Sequence, residues 1–125
     1  MRALAFLLVA GALSAPVPAK VTEAALRPHI AYLASDELEG RAPGTTGGRL
    51  AERYIADQLA EAGLQPVARH GWYQSVSMPA WQGRPATTAH NVIGRIAGTD
   101  PAAGAVLFMA HWDHLGICAR RSAKD

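Results

Sequence analysis

The sequence predicts an α/β fold, on three observations. Two stretches in its first half carry apolar residues at helical spacing. After Pro66 the pattern changes to alternation and β-branched residues. A late run, "AVLFMA" (105–110), is apolar on both faces, as suits a central strand covered by helices on each side. With 125 residues, one small domain is expected.

The elements follow in chain order. Residues 1–19 read as an export signal: Met1–Arg2 give a positive start, Ala3–Leu13 is apolar, and small residues follow at Ser14, Ala15 and Ala19. That apolar run falls short of the ~20 residues a membrane-spanning helix needs. The expected organisation is therefore a signal peptide over 1–19 and a mature portion over 20–125, placed in the periplasm or outside the cell, with no membrane span.

Residues 22–38 predict a helix capped by Thr22, with Leu26, Ile30 and Leu33 on one face. Pro28 lacks the N–H an interior position would use, so the helix kinks there or begins there. "EGRAPGTTGGR" (39–49) is too rich in Gly and Pro to be anything but a loop. Residues 49–62 predict a second helix, with a stripe of Leu50, Tyr54, Ile55 and Leu59, and with Glu52, Arg53, Asp57 and Glu61 facing away. Gly63, Leu64 and Pro66 carry the signals of a helix end. Strands are expected at 72–78, 90–98 and 105–110, with a turn at 99–104.

Composition narrows function. The chain is 50% hydrophobic and 18% charged, which argues against disorder. Its net charge of +2 is spread thinly, and Arg120–Arg121 is no basic stripe, so nucleic acid is not an expected partner. Cys118 is the only cysteine and can form no internal disulfide; it reads as a small apolar filler in preference to a reactive thiol.

The chemistry-bearing cluster is "HWDH", where His111, Asp113 and His114 follow the apolar run. In open α/β sheets, ligands bind beyond the carboxyl ends of strands. A neutral His111 imidazole can ligate a metal while Asp113 accepts its other ring N–H. On an extended chain, residues two apart point the same way, so His111 and Asp113 share a side and His114 points away. A polar strand rim, a structural hydrogen-bonded pair, or a different metal fold would use the same residues. A metallo-β-lactamase-like hydrolase, with its H-x-H-x-D-H signature, would need a histidine where Met109 stands, and a thioether is a poor zinc ligand.

The segments "HIAYLASDELEGRAPGTTGGRLAERYIADQLAEAGLQP", "HNVIGRIAG" and "VLFMAHWDHLG" closely resemble, in order and spacing, the N-terminal part of secreted zinc aminopeptidases of the co-catalytic di-zinc exopeptidase superfamily. The resemblance spans roughly residues 25–117. It implies a three-layer α/β/α sandwich around a mixed sheet, incomplete in this chain. It also implies removal of N-terminal residues from peptide substrates by water activated between two zinc ions. Carried over by motif, His111 is the metal ligand and Asp113 the catalytic-site carboxylate that orients it, while His114 is no ligand. "SDELEGR" (35–41) belongs to the resemblance without a catalytic role, and Asp36, Glu37 and Glu39 read as a solvated loop. The bridging Asp, the Glu pair, a further Asp and a second His would all follow Ile117, and "CARRSAKD" does not supply them. One imidazole is short of the three or four ligands a zinc site needs. The expectation is thus the front portion of a zinc aminopeptidase, inactive by itself; the alternative is a non-catalytic exported remnant or binding domain.

Overall fold

The structure, a computed structural model, describes residues 20–67, 69, 71–80, 83–100 and 102–117. The expected signal segment and Cys118 lie outside the described residues. Helices α1 (Glu23–Leu33) and α2 (Thr46–Glu61) flank a 3-10 helix over Asp36–Arg41. Four strands follow: β1 (Gln65–Pro66), β2 (Tyr73–Met78), β3 (Thr87–Val92) and β4 (Gly94–Arg95). They form two antiparallel ladders, β1 with β4 and β2 with β3, the second running from Tyr73↔Val92 to Met78↔Thr87. The fold therefore mixes helices with small antiparallel sheets.

Local chemistry explains the helix boundaries. Thr22 Oγ1 accepts the Ala25 N–H at 3.2 Å and starts α1. Pro28 neither begins nor ends α1, which runs through it. The helix stops at Leu33, short of the expected 38, and the next residues tighten into the 3-10 turn. At the end of α2, Leu64 N–H bonds to Leu59 C=O and Gly63 N–H to Ala60 C=O, the paired closure of a Schellman motif. Part of the expected loop is helical: α2 begins at Thr46, capped by Thr45 Oγ1 on Gly48 N–H at 3.1 Å.

The buried core is built from small residues. Leu38 is fully enclosed, with Ala42, Ala51, Ala56 and Ala89 around the same junction of the 3-10 turn, α2 and β3. Helix α2 reaches this junction through Gly47 and Gly48. A Cβ on Gly47 would lie 1.9 Å from the Leu38 carbonyl oxygen, so no side chain fits there. The expected stripe of Leu50, Tyr54, Ile55 and Leu59 is only half-buried; the enclosed face is Gly48, Glu52 and Ala56. Helix α1 meets α2 through aromatics: His29 Nδ1 lies 2.7 Å from Tyr54 Oη, and Tyr32 stacks on Tyr54 with ring centroids 4.3 Å apart. Its Leu26–Ile30 side is exposed.

Two further expectations are corrected. Glu52 does not face away; it is 4% exposed. Residues 105–110 are not a buried strand: Val106, Leu107, Phe108 and Met109 are exposed, and the segment joins neither ladder. Apolarity on both faces makes a run suitable for a sheet centre, but a strand also needs a neighbour for its backbone groups. Neither described ladder supplies that neighbour to 105–110.

Candidate functional site

The segment that bears His111 is held from its C-terminal side. His114 N–H donates to Arg41 C=O at 3.1 Å, and Gly116 N–H to Gly40 C=O at 3.0 Å. The Arg84 guanidinium donates to Leu115 C=O. The receiving turn has an uncommon backbone: Glu39, Gly40 and Arg41 have φ of 46°, 68° and 48°. Left-handed conformations cost non-glycine residues roughly 1–2 kcal/mol each, so the surrounding contacts must hold Glu39 and Arg41 there. A Cβ on Gly40 would lie 2.9 Å from Gly116 Cα, which makes this approach of two backbones specific to glycine.

Trp112 is fixed at both ends. Its indole N–H donates to His90 C=O at 3.1 Å, and its own carbonyl accepts Arg41 Nε–H at 2.8 Å. His111 and Asp113 flank it, and their side chains meet: His111 Nδ1 and Asp113 Oδ1 are 2.9 Å apart. An ionised carboxylate only accepts, so in the neutral ring this contact favours the Nδ1–H tautomer, which leaves the lone pair on Nε2. The His111 side chain is 94% exposed and that of Asp113 35%. His114 is exposed and is tied to the turn through its backbone.

A second carboxylate–imidazole pair lies behind the first. Glu52 Oε1 accepts His90 N–H at 3.0 Å, and Glu52 Oε2 lies 2.9 Å from His90 Nδ1. Tyr73 meets the His90 ring edge-on, with centroids 5.6 Å apart. His90, His111, Trp112 and Asp113 line one small cleft of about 200 Å³, with Pro43 and Met78 on its apolar side. A wider depression beside α1, lined by Thr22, Arg27 and Pro28 among others, holds one exposed ion pair, Glu23–Arg27.

His90 and Glu52 were not legible as site residues. No sequence spacing brings His90 to His111, yet the two share one cleft. His29 is engaged with Tyr54, and His70 lies outside the described residues. One signal could have found Glu52: the spacing Gly48, Glu52, Ala56 puts a carboxylate between two small residues on one helix face. Asp36, Glu37 and Glu39 are exposed, as a solvated turn requires.

The donor chemistry suits one imidazole ligand: Nδ1 is engaged with a carboxylate, and in the neutral ring that leaves Nε2 to bind a metal. Among the described residues, no three His, Cys, Asp or Glu side chains gather into a ligand set. No helix among the described residues is long and apolar enough to cross a membrane. Comparison of the chain with protein-family models, curated proteins and solved structures finds no match.

Proposed function

We propose that this chain is the N-terminal portion of an exported zinc-dependent aminopeptidase that releases N-terminal residues from peptides. In this reading His111 ligates zinc through Nε2, and Asp113 orients the ring and raises its basicity. Residues 105–110 become a central strand of a three-layer sandwich once further strands pair with them and helices cover both faces. The reading is supported above all by the 2.9 Å contact of His111 Nδ1 with Asp113. That contact selects the tautomer a metal-binding imidazole needs.

When bound, a pair of zinc ions would supply an acidified water and a polarised scissile carbonyl. The chain's own residues hold His111 in place, with Pro43, Met78 and Trp112 walling the cleft beside it. His111 is one ligand of the three or four required, so the 125-residue chain should bind zinc weakly and hydrolyse no aminoacyl amide.

The test is an aminopeptidase assay on this chain completed with the family's downstream half. His111→Ala should abolish activity, Asp113→Asn should lower it about 10–100-fold, and His114→Ala should cost far less. Equal damage from His111→Ala and His114→Ala would overturn the assignment. A completed, folded chain with no zinc-dependent activity would leave the non-catalytic exported domain as the better reading.

A further inference from the structure

We infer that Arg41 is a positioning residue for the His111–Asp113 pair, acting through the Trp112 carbonyl. The inference rests on the reading that this pair is the working part of the site. It also gives "LEGR" (38–41) a task that composition and spacing did not reveal.

The side chain of Arg41 makes one described hydrogen bond, from Nε to Trp112 C=O at 2.8 Å. Among the described residues it forms no ion pair, although Glu37 and Glu39 stand close in sequence. A permanent cation is thus directed at the carbonyl of the Trp112–Asp113 peptide, where a charge-assisted bond is stronger than a neutral one. The same residue receives His114 N–H on its carbonyl at 3.1 Å. Arg41 therefore grips the segment on both sides of Asp113.

The backbone of Arg41 adds a second, independent observation. Its φ of 48°, next to Gly40 at 68° and Glu39 at 46°, is a conformation most residues avoid. Such strain persists only where the surroundings over-determine it, and it gathers at functional sites. Here it turns the Arg41 carbonyl and side chain toward one target. With the Trp112 carbonyl held by Arg41 and the indole N–H held by His90, the peptide at 112 has little freedom to rotate. The side chains two apart then project to one side and meet.

The experiment compares two substitutions of nearly equal shape in the full chain. Arg41→Gln puts an amide N–H one bond beyond Cδ, where Arg41 carries Nε. Arg41→Met puts a methyl group at that place. The readout is the His111 ring tautomer at about pH 8, from long-range ¹H–¹⁵N spectra, with Asp113→Asn as the reference for a broken pair. Arg41→Gln should keep the Nδ1–H form of the native chain. Arg41→Met should shift the tautomer ratio roughly fivefold toward Nε2–H, the size of effect one hydrogen bond sets. A purely structural role would lower the unfolding midpoint of both variants and leave the His111 tautomer unchanged in the folded fraction. That result, or loss of the Nδ1–H form in Arg41→Gln, overturns the inference. Should Arg41→Met not fold, Arg41→Leu, which also lacks the donor, takes its place with the same expected shift. The readout needs no metal, so a zinc-independent shift in Arg41→Met supports the positioning role even if the peptidase reading fails.

Discussion

Glu52 on α2 accepts two hydrogen bonds from a single residue, His90 on β3, one from its backbone and one from its ring, at 3.0 and 2.9 Å. The carboxylate is 4% exposed, so it fastens helix to sheet from inside the core. Glu52→Ala would leave both donors without their acceptor, a loss of about 1–3 kcal/mol. Glu52→Gln keeps an acceptor for His90 N–H and should cost less. Urea unfolding of the two variants checks the order; equal midpoints for Glu52→Ala and the native chain would show that the clamp contributes nothing.

The close seat of α2 on the 3-10 turn makes Gly47 irreplaceable. A Cβ there would stand 1.9 Å from Leu38 C=O, against backbone that cannot swing aside. Gly47→Ala should cost at least about 1–3 kcal/mol, the usual scale for forced overpacking. Gly98→Ala, where nothing lies within 4 Å of the added carbon, is the control and should change the thermal midpoint little.

Phe108 distinguishes the exposed segment from the buried strand that its apolarity suggests. Its 91% exposure predicts that Phe108→Ala changes the stability of this chain by no more than about 0.5 kcal/mol. In a chain completed with further strands, Phe108→Ala should cost about 3–5 kcal/mol. Denaturant titration of both forms tests this. A large loss in the 125-residue chain would mean that 105–110 is already covered.

Alkaline stability should depend on Tyr73. Burial raises its phenol above the ordinary value of 10.0, with Asp57 and Glu52 adding to the rise and Arg53 opposing it. The folded chain therefore holds this proton more tightly than the unfolded one. The resulting stability is complete below the ordinary value and is lost as pH rises through the raised one. Tyr73→Phe should show a smaller fall in unfolding midpoint above about pH 10. An unchanged alkaline profile would count against the shift.

What was legible in the sequence is what is local. The Thr22 cap spans three residues, the Leu59–Gly63–Leu64 closure spans five, and His111 meets Asp113 two residues away. Each follows from fixed helical or extended geometry. The strand over 72–78 was visible from alternation, and β2 begins one residue later. The contacts that hold the site are distant: Glu52 and His90 are 38 residues apart, Arg41 and Trp112 71. No periodicity links such pairs. Glu52 lies on the buried face of α2 because close packing on the turn selects small neighbours, Gly48 and Ala56, while the large apolar side chains stay half-buried. The run at 105–110 differs from its sequence pattern because apolarity reports what a segment can bury, and pairing decides whether it does.

If His111 is a metal ligand through Nε2, oriented by Asp113, added zinc must reach that nitrogen first. The most direct measurement is a Zn²⁺ titration of the full chain, followed through the ring nitrogens of every histidine. The predicted result is weak, saturable binding that moves His111 Nε2 first and furthest, and that weakens about 10–100-fold in Asp113→Asn. Tight stoichiometric binding would contradict the incomplete ligand set. A response led by another histidine, or one centred on His111 Nδ1, would contradict the assignment itself.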